Sequence, residues 1–172
     1  MSELIPILSS DEIESRLLDI SKKISSDYEG KELVLIGILK GAFVFLADIS
    51  RLLTIPVTID FIRVSSYGDT TDSSGHLKLI NDIELDIKNK NVLIVEDIVD
   101  SGFTLAYLIE HLKSFNPVSV KVCALIDKKE RRKKNIKVDY FCHEIEGGFL
   151  VGYGLDYAEN YRNLQGIYDL KL

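Results

Sequence analysis

The spacing of hydrophobic and polar positions changes several times along this chain. Ile13, Leu17, Ile20 and Ile24 recur at helical spacing, and Ser9 with Glu12 makes an S-x-x-E capping box ahead of them. A helix is predicted there as the first element, closed by Gly30. LVLIGIL, Leu33 to Leu39, is continuously apolar, as a strand covered on both faces must be. A helix from about Ala42 to Leu53 follows and ends before Pro56, and the β-branched run VTIDFIRVSS, Val57 to Ser66, reads as another strand. SSYGDTTDSSG, Ser65 to Gly75, is small and polar, which predicts an exposed, mobile loop. LKLIND, VLIVED (Val92 to Asp97) and VSVKVCALID (Val118 to Asp127) read as strands; Leu105, Leu108, Ile109 and Leu112 mark a helix between Gly102 and Phe115.

Strands alternating with helices imply parallel pairing through right-handed crossovers. The remainder, KVDYFCHEI and then FLVGYGLDY, is strand-like and closely spaced without an intervening helix. The expected architecture is α/β: an open, mostly parallel twisted sheet flanked by helices, with a small β-rich hood lobe. That lobe is assigned mainly to residues 138–172, with the N-terminus a candidate contributor, and no repeat or linker divides residues 1–172 into further domains.

Composition narrows the classes. In 172 residues, 46% hydrophobic, there is no apolar run near the roughly 20 residues of a membrane helix, and the start, MSELIPILSSDE, lacks the basic-then-apolar pattern of a signal peptide. A cytoplasmic protein with no membrane partner is the expectation. Cys123 and Cys142 lack CxxC spacing and read as reduced, inert thiols, and the three scattered His residues (His76, His111, His143) suggest no structural zinc. The net charge of −6 argues against a general nucleic-acid binder, although KKERRKKNIK, Lys128 to Lys137, is locally basic.

In doubly wound sheets ligands sit beyond the carboxyl ends of the strands. The loop after VLIV reads Glu96-Asp97-Ile98-Val99-Asp100-Ser101-Gly102-Phe103-Thr104. N–H groups of Asp100 to Thr104, the Ser101 and Thr104 hydroxyls and a helix N-terminus would hold a phosphate monoester, with Gly102 allowing close approach. An isolated D-S-G-x-T is as readily an ordinary N-cap. The acids Glu96 and Asp97 tip the balance: a buried-looking strand gives them no packing role, whereas ribose hydroxyls or hydrated magnesium need carboxylate acceptors. A ribose 5-phosphate site is the reading. No G-x-x-x-x-G-K-[ST] is present, and Gly152-Tyr153-Gly154 has Tyr157 where a dinucleotide fingerprint needs its third glycine.

VLIVEDIVDSGFT closely resembles the phosphoribosyl-pyrophosphate (PRPP) signature of the type I phosphoribosyltransferases. The resemblance extends to the hypoxanthine-guanine branch through Leu39-Lys40-Gly41, Ser65-Ser66-Tyr67-Gly68, Lys128 after ALID, and FLVGYGLDYAENYRNL from Phe149 to Leu164. It implies transfer of the phosphoribosyl group of PRPP to a 6-oxopurine, giving the nucleoside monophosphate and pyrophosphate with magnesium as cofactor.

It also implies roles. Asp100 matches the general base and, with Ser101, Gly102, Phe103 and Thr104, grips the 5-phosphate. Glu96 and Asp97 face the ribose hydroxyls and magnesium. Leu39, Lys40 and Gly41 form the pyrophosphate loop, where the family has a cis peptide before the lysine, and Arg162 meets the same pyrophosphate. Lys128 donates to the purine 6-oxo group; Phe149 and Ile98 sandwich the base; Leu150 lends its backbone; Asp156 holds a second magnesium. Ser66 and Tyr67 head a lid that excludes water from an oxocarbenium-like transition state. Phe103, Gly148 and Leu150 stand where many relatives carry other residues. The same resemblance predicts a homodimer or homotetramer.

Each residue alone reads more plainly: Lys40 as a helix start, Arg162 as a surface arginine, Asp156 as a turn cap, and Lys129, Arg131, Arg132, Lys133 and Lys134 as solvated surface. The alternative function is a nucleotide-sensing regulator on this fold that uses the basic cluster to bind RNA; the acidic balance and the retained Asp100 weigh against it.

Overall fold

In the computed structural model, residues 3–67 and 76–171 are described, apart from the side chains of Ser66, Tyr67 and His76. The chain runs β1 (Glu3–Leu8), α1 (Ser10–Asp27), β2 (Leu33–Leu39), α2 (Phe43–Leu52), β3 (Val57–Tyr67), β4 (His76–Asn81), β5 (Asn91–Val99), α3 (Phe103–Lys113), β6 (Ser119–Lys128), β7 (Tyr140–Ile145), β8 (Leu150–Val151) and β9 (Ile167–Lys171). Six strands form the main sheet in the order β4-β3-β2-β5-β6-β7, with only the β3–β4 pair antiparallel. A second antiparallel sheet, β1-β9-β8, forms the hood.

The continuous apolar strands are explained by two-sided burial. Along β2, Leu33 and Leu35 enter a core shared with α1, α2 and the hood, while Val34, Ile36 and Ile38 enter a second core under α3. Successive side chains point to opposite faces, so a strand covered on both must be apolar at every position. The capping box closes as expected, with the Ser9 N–H and hydroxyl donating to Glu12 at 2.8 and 2.9 Å and the Glu12 N–H donating to Ser9 Oγ at 3.3 Å.

Three expectations need correction. α1 is not the first element, because β1 precedes it; Pro6 and a register shift between Pro6 and Leu8 break the alternation that marks strands, and β1 is tolerated as an edge strand of the hood. The boundary at residue 138 falls too early: Tyr140–Ile145 completes the main sheet beside β6, reached through an irregular segment instead of a crossover helix. Ser65–Tyr67 continue β3 against β4 instead of opening the loop. The rest of that loop, residues 68–75, lies outside the described residues, so the lid reading rests on Ser66 and Tyr67 as the carboxyl end of β3.

The topology fixes where a ligand can sit. From β2 the chain passes through α2 to β3 on one side, and from β5 through α3 to β6 on the other. The loops after β2 and β5 diverge, opening a crevice at the carboxyl edge of two adjacent parallel strands.

Candidate active site

The β5 end of the crevice carries the acids. Glu96 is 7% exposed, and its carboxyl is pushed well above the ordinary range by burial and then by the charge of Asp97 beside it. Burial raises the Asp97 carboxyl too, against hydrogen bonds that lower it. Both shifts come chiefly from burial, which disfavours the charged carboxylate; the neighbouring charge adds to it at Glu96. Asp97 also lies against the turn after β2: a Cβ on Gly41 would meet Asp97 Oδ2 at 1.7 Å. Only glycine permits that contact, and the Leu39–Lys40 peptide bond just before it is cis.

The loop after β5 turns into α3 at Gly102, whose φ of 85° is left-handed, and no side chain caps the helix. The N-cap alternative for D-S-G-x-T survives only as a long 3.5 Å hydrogen bond from the Phe103 N–H to Ser101 Oγ. The first turn of α3, beside Ser101 and Thr104, borders a cleft of about 110 Å³ that Glu96 and Asp100 also line. The Phe103 ring turns away, under the Lys134 ammonium at 5.4 Å.

A larger cavity of about 450 Å³ brings together Asp97, Ile98, Asp100, Lys128, Phe149, Leu150 and Asp156, which come from β5, its loop, β6 and the hood. Asp100 Oδ1 is buried with no hydrogen-bond partner, and Oδ2 lies 3.9 Å from Lys128 Nζ. Lys128 is 6% exposed and donates to the Gly148 carbonyl at 2.9 Å. Phe149 stands exposed at the rim, edge-on to Tyr157 with ring centroids 5.5 Å apart. Glu130 and Arg131 also line this cavity, and Glu130 Oε2 is 3.6 Å from Lys128 Nζ; sequence reasoning passed over both as part of a charge run.

The basic segment is not simply solvated. The Arg132 guanidinium donates to the carbonyls of Asp100 (2.9 Å), Val99 (3.0 Å) and Lys128 (3.1 Å), and to the Asp127 carboxylate, which is 2% exposed. The N–H groups of Lys133 and Lys134 both donate to the Ser101 carbonyl at 3.0 Å. Lys129 pairs with Asp127 at 2.6 Å and Glu144 at 3.4 Å. Arg132 thus ties the loop after β5 to the end of β6. The only hint of this in the sequence is a five-residue offset between Asp127 and Arg132, which a charge-rich run hides.

Opposite these loops, the hood turn lies on the turn after β2: a Cβ on Gly154, whose φ is 101°, would meet the Gly41 carbonyl oxygen at 2.1 Å. Arg162 donates to the Gly154 carbonyl at 2.8 Å and pairs with Asp156 at 2.8 Å, while its Nε is buried without a partner. Lys40 Nζ lies 2.9 Å from Glu159 Oε2, which also lies 3.4 Å from Arg162 Nη2. The hydrogen bond from Lys40 is the main reason the exposed Glu159 carboxyl sits below its ordinary range. Lys40 and Arg162 are therefore brought together, through an acid that sequence reasoning did not single out. Asp156 joins Arg162 instead of the Glu96–Asp97 pair, and among the described residues no three His, Cys, Asp or Glu side chains cluster as a metal cage.

Comparison with known proteins bears on the family and the fold. The phosphoribosyl transferase domain model matches residues 7–158. The hypoxanthine-guanine phosphoribosyltransferase of Bacillus subtilis is 42% identical over 165 residues, covering 96% of this chain and 92% of its own. That of Dictyostelium discoideum is 44% identical over 169 residues, covering 96% and 94%. A crystal structure of the Bacillus anthracis hypoxanthine-guanine phosphoribosyltransferase superposes with a TM-score of 0.93 at 41% identity, over all of both chains. With the PRPP signature at the β5–α3 turn, these likenesses establish that the chain belongs to the phosphoribosyltransferase family and has the type I fold.

Proposed function

We propose that this chain transfers the 5-phosphoribosyl group of PRPP to hypoxanthine or guanine, forming IMP or GMP and pyrophosphate in purine salvage. The observation that carries the reading is the meeting, in one cavity, of an unpartnered buried oxygen of Asp100 with the ammonium of Lys128, at the rim of the phosphate cleft.

Each step can be assigned to side chains. The N–H groups and hydroxyls of Asp100 to Thr104 hold the 5-phosphate in the small cleft. Lys128 donates to the 6-oxo oxygen; an exocyclic amine in that place accepts poorly, which disfavours adenine. Phe149 and Ile98 cover the two faces of the base, and the Leu150 backbone meets its edge. Asp100 takes the ring proton as the base nitrogen attacks C1 of ribose and the bond to pyrophosphate breaks. Lys40, the backbone of Leu39 to Gly41, and Arg162 receive the leaving group's charge.

Glu96 and Asp97 fit a magnesium ion. They are adjacent hard-oxygen donors at the carboxyl end of β5, where burial disfavours bare carboxylate charge, and a pair suits an ion that takes its remaining oxygens from water and substrate. Bound there, magnesium would screen the phosphates and orient the ribose hydroxyls. Asp156 is the candidate for a second ion, for which it must give up Arg162. Homodimer or homotetramer assembly belongs to the same reading; exposed Phe43 on α2, and Ile59 and Phe61 on β3, offer apolar surface for it. Ser66 and Tyr67 start the lid in this reading.

A pyrophosphate-release assay with PRPP, magnesium and a panel of hypoxanthine, guanine, xanthine, adenine and uracil tests the proposal. Turnover confined to 6-oxopurines is expected, and no turnover with any of them overturns it. An RNA-binding sensor is disfavoured because Arg132 and Lys129 are already engaged internally.

A further inference from the structure

Two cations from separate parts of the chain converge on one oxygen atom. Lys40 comes from the turn after β2 and Arg162 from the hood, yet Glu159 Oε2 lies 2.9 Å from Lys40 Nζ and 3.4 Å from Arg162 Nη2. Bridging two cations from opposite sides is what a phosphate oxygen does when bound between a lysine and an arginine. The Glu159 side chain is 63% exposed, so nothing packs it in place. Its backbone does the placing: Ala158, Glu159 and Tyr161 have φ of 48°, 64° and 75°, and the Glu159 N–H donates to Asp156 Oδ2 at 2.9 Å. A tight left-handed turn thus presents a mobile carboxylate to a cation pair. Arg162 is not saturated by it, since its buried Nε has no partner.

Resting on the proposed reading of Lys40 and Arg162 as the pyrophosphate-binding cations, we propose that Glu159 is an internal stand-in for that anion and sets the affinity of the leaving-group end of the site. In the free chain its carboxylate holds the two cations together and keeps the hood loop against the turn after β2. An incoming pyrophosphate group, whether part of PRPP or free, must displace it. Occupied by Glu159, the cations are neutralised and positioned; released, they carry full charge toward the ligand. The same competition lets the carboxylate return as pyrophosphate leaves, which favours product release.

Titration calorimetry of inorganic pyrophosphate, with and without magnesium, compares the full-length chain with E159Q and E159N. Asparagine tolerates the left-handed backbone, so the second variant removes the charge without straining the turn. Both ion pairs of Glu159 are solvent-screened, so removing this one competing carboxylate should tighten pyrophosphate binding roughly two- to ten-fold. KM for PRPP should fall in parallel, and the gain should shrink with salt. A lesion that merely loosened the loop would weaken binding, so the direction of change separates the two cases. Unchanged or weaker binding in both variants, or no pyrophosphate binding by any of the three proteins, overturns the proposal. Turnover of a 6-oxopurine by the wild-type chain is read separately: if it holds while the variants bind no tighter, Glu159 has been misassigned and the function stands.

Discussion

The loop after β5 and the loop after β8 face each other across one site and are built on different principles. The first is mounted on the central strand of a sheet packed on both faces, and its carbonyls are tied down by one largely buried guanidinium, that of Arg132. The second leans on left-handed turn residues, a glycine-to-carbonyl contact between Gly154 and Gly41, and ion pairs that include the exposed Lys40 and Glu159. In the proposed mechanism the groups that must sit at a fixed distance from a reacting atom, Asp100 and Lys128, are on the first side. Those proposed to let a product go are on the second. Rigid placement and easy release come from different interactions, one shielded from solvent and salt and the other not.

The largest effect expected from this contrast is on chemistry. Asp100→Asn keeps the size and the Lys128 neighbour but cannot take a proton, so kcat should fall about 10²- to 10⁴-fold while the melting temperature scarcely moves. A variant with full kcat would remove Asp100 from the proton transfer.

Arg132→Gln sharpens the structural side of the comparison. It removes one of the two cations on Asp127, which is 2% exposed and keeps Lys129 at 2.6 Å, and unties Asp100 from Lys128. A loss of about 2 kcal/mol in urea unfolding is expected, since Lys129 still faces Asp127 but the carbonyls of Val99, Asp100 and Lys128 lose their shared donor. A loss no larger than that of an exposed pair would mean the two loops are held alike.

The smallest effect is a pH dependence. Because the folded Glu96 carboxyl is raised, the folded chain holds a proton that the unfolded chain has lost, and metal-free stability should fall as pH rises from the ordinary carboxylate range through the raised value. Glu96→Gln should flatten that fall, seen as a melting temperature that changes less between pH 4 and 8 than in wild type. An identical slope in both proteins would assign the dependence to other groups.

The sheet and its helices were legible in the sequence because two-sided burial writes itself as unbroken apolar runs: Leu33–Leu39 and Val92–Val95 could scarcely be anything else. The hood was legible only as a β-rich lobe with the N-terminus a candidate contributor, since β8 has two residues and β1 carries Pro6, too short or too irregular for a period to mark their bounds. Among the candidate site residues, those in contiguous motifs could be singled out from the sequence. Those that act through distant partners were missed: Arg132 looked like surface, and Glu159 looked like nothing.

What the sequence determined by itself was therefore local: which runs form strands, that an acidic and then small-residue turn joins β5 to α3, and the family whose signature that turn resembles. Only the tertiary structure decided that Asp97 presses on Gly41, that Arg132 joins two loops, and that Lys40 and Arg162 meet at one carboxylate. Periodicity and motifs report on neighbours in the chain. Desolvation, charge pairing and contacts without room for a Cβ depend on which distant segments are brought together, and that is set by the parallel pairing of β2 and β5 at the centre of the sheet.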